Sequence, residues 1–440
     1  MTLPLREHDQ SSQKEVKKLM KTATLVPLDQ DVEALLTRKL EQAFQLRLQS
    51  DYARSLQEFA EVLRIFPETL SPDMKGLIFL EMAQLSLWLG DYDKTEFFAQ
   101  SVLQLRIEKD QQAYEFLARV AVAQFQFPLA RTYLYKISSK SFVFSMIECL
   151  ICIKLRDLKG AHAAIVSVFQ KCEQEGTALP ESNEFEVYQA YCTLLKGQSK
   201  EAVSSARRLQ KKCANDPYLM LLLAEIFMTA GAYNEAFTAT RKVESVFPDH
   251  DQVHALYAHI AYAREDFEAS KMKAEASLRK NPSNHYACTI LMKLALREGN
   301  YAEAERMGEA IVQESPEYSL GHANLGDLYF VQGKYDLAKR EYSRTESLID
   351  SKTKGALLRQ ARLKMMDGHY EDAARGLEDM IAQIHTYYDD AMCDLLVCYE
   401  HIDEPEKKQE LLQKMSLRKV FSRRIDQMLR TIEKSVEEPI

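Results

Sequence analysis

A single spacing limits what this chain can fold into more than any other feature. From Gly231 onward a small–x–aromatic–x–x–small pattern returns every 34 or 35 residues. The turn position reads Gly231, Glu265, Gly299, Gly333, Gly368 and Asp403. Two residues later stand Tyr233, Phe267, Tyr301, Tyr335 and Tyr370, with Pro405 breaking the series. Three further on come Ala236, Ser270, Ala304, Ala338 and Ala373. A fixed period of this length marks a solenoid of helix pairs, each unable to bury its apolar face alone and so stacked on its neighbours.

The upstream half reads in the same register with a less regular period. Ser50, Gly90, Phe125, Arg156 and Gly197 take the turn position, at intervals of 40, 35, 31 and 41, then 34 to Gly231. Tyr52, Tyr92, Phe127, Leu158 and Ser199 take the ring position, and Ser55, Thr95, Ala130, Ala161 and Ala202 the close-packing one. Pro67, Pro248, Pro282 and Pro316 fall where second helices should end, since a residue lacking an N–H closes a helix without loss. Both halves together predict an all-α chain, an α-solenoid of about eleven helix pairs. A polar, partly disordered segment is expected over 1–35, degenerate repeats over 36–180, a regular array over 181–415 and a capping helix over 416–440. That cap should bury Val420, Phe421, Ile425, Met428 and Leu429.

The clearest unit runs from Gly321 to Tyr342 as GHANLGDLYFVQGKYDLAKREY. Leu325, Gly326 and Tyr329 share one helical face, Gly333 ends the helix and Tyr335 plugs the turn. Ala338 lets the second helix approach closely and Tyr342 packs back. This unit resembles the tetratricopeptide-repeat superfamily nearly position for position, with His322 where that family often has Trp. The resemblance is strongest from Tyr218 to Met380. It implies a scaffold that binds other proteins or peptide segments in a concave groove lined by first helices. It also implies a subunit of a larger complex, similar to long scaffold subunits of ubiquitin-ligase and ciliary trafficking assemblies. The alternative it leaves open is an adaptor or co-chaperone that takes short peptide tails. Some family members hold a carboxylate tail with five polar groove residues. Asn324 and Arg359 match two of those positions, while Thr289, Lys293 and Gly355 depart from three.

Counting back from the turns gives one groove residue per first helix: Tyr191, Glu225, His259, Lys293, Asp327 and Arg362. One helical turn earlier stand Tyr188, Leu222, Leu256, Ile290, Asn324 and Arg359. With Tyr218, the partner-binding set is Tyr188, Tyr191, Tyr218, Glu225, His259, Lys293, Asn324, Asp327, Arg359 and Arg362. The groove should be aromatic and apolar upstream and cationic downstream. Lys293 and Arg362 are expected off the packing face, so that reversing their charge spares the helices.

Composition excludes several function classes. The net charge of −8 and the lack of a basic stripe interleaved with rings argue against nucleic acid as ligand. No secretory h-region or run long enough to cross a bilayer is read. A soluble chain of the cytoplasm, with nucleus or cilium as other compartments, is expected, as a homodimer or a hetero-complex subunit. The eight cysteines follow no framework spacing. Cys149 and Cys152 form a CxxC whose bland reading is two buried small side chains, because a structural zinc needs four ligands. His250 and His254 stand i, i+4 beside Asp249 and Asp251, but this is a helix entry where acidic groups cap free amides. No metal, cofactor or catalytic residue is assigned. The chain is not read as an enzyme.

Overall fold

The computed structural model describes residues 30–139, 141–175, 182–348, 354–383, 389–418 and 423–437. Among them it shows twenty-three helices and no strand. The helices pair in chain order. Pairs 1 to 4 are α1 (Gln30–Leu48) with α2 (Tyr52–Ile65), α3 (Pro72–Trp88) with α4 (Tyr92–Gln104), α5 (Asp110–Ala123) with α6 (Phe127–Leu134), and α7 (Phe142–Leu155) with α8 (Leu158–Glu175). Pairs 5 to 7 are α9 (Asn183–Leu195) with α10 (Ser199–Lys212), α11 (Pro217–Thr229) with α12 (Tyr233–Glu244), and α13 (Asp251–Ala263) with α14 (Phe267–Lys280). Pairs 8 to 11 are α15 (His285–Glu298) with α16 (Tyr301–Glu314), α17 (Ser319–Val331) with α18 (Tyr335–Leu348), α19 (Lys354–Met366) with α20 (Tyr370–Gln383), and α21 (Asp389–His401) with α22 (Pro405–Arg418). A last helix, α23 (Arg423–Glu437), follows. The expected eleven pairs and end helix are therefore present.

The repeat register is visible in the backbone. All eleven turn residues, from Ser50 to Asp403, have positive φ. The next amide in each turn reaches back five residues, as Asn300 N–H does to the Ala295 carbonyl at 2.8 Å. This is the left-handed helix stop that glycine enters most readily. Asp51, Asp91, Asp266 and Asn300, each just after its turn, accept the N–H three residues on and so start the second helix. Every ring-position residue, Pro405 included, is the first residue of its second helix.

The ten close-packing residues from Ser55 to Ala373 are fully buried. Ser55 and Ser270 there donate to the facing first helix, to the Ala43 carbonyl at 2.8 Å and the Ala258 carbonyl at 2.9 Å, while Thr95 donates to the Asp91 carbonyl four residues back. Gly326 sits over Tyr342, whose ring would lie 2.6 Å from an added Cβ. First helices also touch the first helix of the next pair, so they form the inner wall.

One apolar core runs unbroken from Leu36 to Tyr318, and a second covers Leu358 to Ile425. Ile425 is buried there with Met428 and Leu429 beside it, as expected of a cap. Val420, Phe421 and residues 1–29 lie outside the described residues. Gln30 onward, expected as polar tail, is already α1.

Candidate partner-binding face

The superhelix closes on itself. The turns of pairs 1 to 4 reach residues some 160 positions later, at the joints of pairs 6 to 9. Tyr52 donates to the Asn215 carbonyl at 3.1 Å and stacks on Phe247. Tyr92 donates to Asp251 at 2.9 Å. Asn281 bridges Asp251 and the Ala123 carbonyl. Ser315 donates to the Phe125 carbonyl at 2.8 Å and meets His285 Nε2 at 2.8 Å. Ser319 donates to the Leu155 carbonyl, and Arg131 pairs with Glu317.

This closure overturns the open upstream groove. Tyr188, Tyr191 and Glu225 are buried, because cations from pairs 3 and 4 cross the axis to meet them. Lys154 Nζ lies 2.5 Å from Glu225, and Arg119 contacts Glu115 and Glu184 at 2.9 and 2.6 Å. Tyr188 donates to Glu184 and Tyr191 to Glu225. The guanidiniums of Arg119 and Arg156 lie over the rings of Tyr218 and Tyr191. Burial opposes the Lys154 ammonium, yet the Glu225 charge holds its pKa above the ordinary lysine value. Burial likewise opposes the Glu184 carboxylate, and Arg119 keeps it below the usual range. His259 is half-buried against Tyr286, and burial pushes its pKa down to about 3. Side chains read as a partner surface are thus the filling of a closed channel.

Sequence reasoning missed Arg119, Lys154 and Arg156. Arg119 stands six residues before its turn, as Tyr191 and Glu225 do, so counting back from Phe125 finds it.

Downstream, the inner wall divides. Arg362 is 1% exposed and held by Asp394 at 2.6 Å and Asp327 at 2.7 Å, over the Phe330 ring. The expectation that it lies off the packing face is corrected: it ties α17, α19 and α21 together. Asn324 is buried and donates to the Leu320 carbonyl on its own helix. Lys293 is half-buried with no hydrogen bond or ion pair among the described residues. Burial lowers its pKa, Arg359 adds to that, and Asp327 and Asp390 act against it. Arg359 is buried near Gly355.

Cys149 and Cys152 are buried, and burial pushes the Cys152 thiol up to about 12. The helix entry at α13 is capped by His250 itself, which accepts the Gln252 N–H, rather than by the acidic residues beside it: Asp249 pairs with Lys280, and Asp251 accepts from Tyr92, Asn281 and Asn284.

Residues 295–347 match the family model described as tetratricopeptide repeat. Over those residues the chain carries tetratricopeptide repeat sequence. No curated protein matches it. Among solved structures it is similar to a tetratricopeptide repeat protein from Parabacteroides merdae, at 16% identity over 58% of this chain and 98% of that one, with a TM-score of 0.36. It is also similar to a chain of the APC/C hetero-tetramer Cut9–Hcn1, at 10% identity over 92% and 89%, with a TM-score of 0.46. Human IFIT1 bound to m7Gppp-AAAA gives 12% identity over 98% and 96%, with a TM-score of 0.42. No helix among the described residues is long and apolar enough to cross a membrane.

Proposed function

We propose that the chain is a non-catalytic scaffold of the cytoplasm, a subunit of a larger protein assembly. Tetratricopeptide repeats are a protein-interaction architecture, and stacked pairs offer a long continuous surface rather than a reaction centre. The partner segment lies along the inner wall of pairs 8 to 11, around Lys293, Asn324, Asp327 and Arg359, rather than in the closed channel of pairs 3 to 8. What supports this reading is Lys293. A half-buried ammonium that no hydrogen bond or ion pair holds among the described residues is poised for a charge-assisted bond to a partner acceptor.

Affinity capture from native cells, quantified by mass spectrometry, tests it. The wild-type chain should retain a constant set of proteins at fixed ratios. Lys293→Gln and Lys293→Glu should lose that set with helicity unchanged. Equal retention by both variants, or turnover of a substrate by the purified chain, would overturn the reading.

A further inference from the structure

Where the turns of pairs 2 and 3 cross the start and end of pair 7, the seam leaves a cleft of about 570 Å3. Its size falls within the range of sites that hold a ligand segment. Two of its polar residues are more than nine-tenths buried and incompletely bonded. His250 is 4% exposed. Its Nδ1 is turned inward, accepting the Gln252 N–H at 3.1 Å and lying 3.1 Å from Asp251. Nε2 has no hydrogen-bond partner among the described residues, and it carries a proton in the imidazolium and in the tautomer whose Nδ1 accepts from Gln252. Asn281 is 5% exposed. Its amide nitrogen is committed to Asp251 at 2.9 Å and to the Ala123 carbonyl at 3.4 Å, which fixes its amide orientation and leaves Oδ1 without a partner among the described residues. With Nδ1 accepting from Gln252, or with the ring protonated, the cleft floor offers a donor at His250 Nε2 beside the fixed acceptor at Asn281 Oδ1, the complement of a peptide group.

The rim adds charge and apolar surface. Asp93 is exposed and has no ion-pair partner among the described residues. Asp91 engages Lys94, Asp249 engages Lys280, and Pro248 and Pro282 flank the opening. Gly90 is needed here twice over, by its positive φ and by the His250 ring 3.0 Å from where a Cβ would stand.

We propose that this cleft docks an extended segment of a partner protein carrying a lysine or arginine. The segment's carbonyl accepts from His250 Nε2, its N–H donates to Asn281 Oδ1 and its cation meets Asp93. The site is separate from the inner wall around Lys293 and does not depend on it.

The test passes the full chain over an array of immobilised dodecapeptides in a proline- and leucine-containing frame whose central residue is Lys, Arg, Ala or Glu. Retention of the Lys and Arg peptides over the Glu peptides is expected, weakened about tenfold by Asp93→Lys, a rim reversal that leaves the cleft floor intact. Hydrogen exchange should slow at residues 89–93 and 246–250 when the retained peptide is added. No retention, retention regardless of central charge, an unchanged Asp93→Lys variant or protection elsewhere would each overturn the proposal. So would a dimer that Asp93→Lys dissociates, which would give the cleft to a second copy of the chain.

Discussion

The same repeat position behaves oppositely at the two ends of the molecule. In pairs 1 to 3 the ring at the start of the second helix is buried, with Phe127 at 1% exposure; in pairs 6, 8 and 9 it is exposed, with Tyr335 at 52%. Tyr335 does not plug its turn as expected but leans on Phe330. Upstream rings are covered because the next superhelical turn lies over them, as Phe247 and Asp251 lie over Tyr52 and Tyr92. The difference also accounts for the irregular upstream turns. Phe125 and Arg156 hold left-handed backbone that disfavours side chains by about 1–2 kcal/mol. Both side chains are used across the axis: Phe125 against His285, Tyr286 and Tyr318, and Arg156 against Tyr191 and Thr229. Degeneracy here is the mark of long-range contact, where a regular repeat touches only its neighbours.

Two lysines separate these regimes most strongly. Lys154→Ala leaves Glu225 charged and buried without its cation, and should lower the urea-unfolding free energy by about 3–5 kcal/mol. Lys293→Ala removes a cation that burial already disfavours, and should change stability by less than about 0.5 kcal/mol. Equal losses would erase the distinction.

Acid should act chiefly through the seam. Burial pushes the His285 imidazole down to about 4, and burial with Lys293 pushes His259 down to about 3. Below the unfolded value of 6.5 the unfolded chain takes up protons that these folded sites refuse, so stability falls as pH falls. Asp216 works in the other direction. Burial raises its carboxyl to about 6, so the folded state gains protons first and recovers stability below that pH. Two imidazoles outweigh one carboxyl, for a net loss of about 3 kcal/mol between about pH 7 and 4.5. Urea midpoints measured across that range check the sign, and a flat profile would contradict the burial of His285.

Nearest-neighbour packing is tested downstream. Ala338→Leu forces extra volume between α17 and α18 and should cost about 1–3 kcal/mol; an unshifted melting temperature would contradict the register. The smallest effect is at Asp403, an exposed turn residue with positive φ. Asp403→Gly should relieve that backbone and raise stability by up to about 1 kcal/mol. Phe125→Gly should lower it, because the seam contact outweighs the strain.

Local physics made the fold legible. A left-handed turn, a ring two residues on and a small residue three further each obey a short-range rule, so this local register located all eleven turns even where the period is irregular. The groove was less legible. Counting back from a turn finds the inward side of a first helix, but inward means solvent only if the axis is open. Nothing periodic in the sequence announces that Lys154 meets Glu225 or that Arg131 meets Glu317. The residues between them are a matter of superhelical pitch. Arg362 was misplaced for a related reason: Asp394, on the first helix of the next pair 32 residues away, turns a solvated arginine into a buried one.

The closed superhelix rests on contacts between turns, and Tyr92 with Asp251 is the pair to measure. A double-mutant cycle of Tyr92→Phe and Asp251→Asn, read by urea unfolding, isolates an interaction between residues far apart in the chain. Touching turns should give a coupling of about 1 kcal/mol or more. Strictly additive single losses would mean that the turns stand apart in solution and the channel is open.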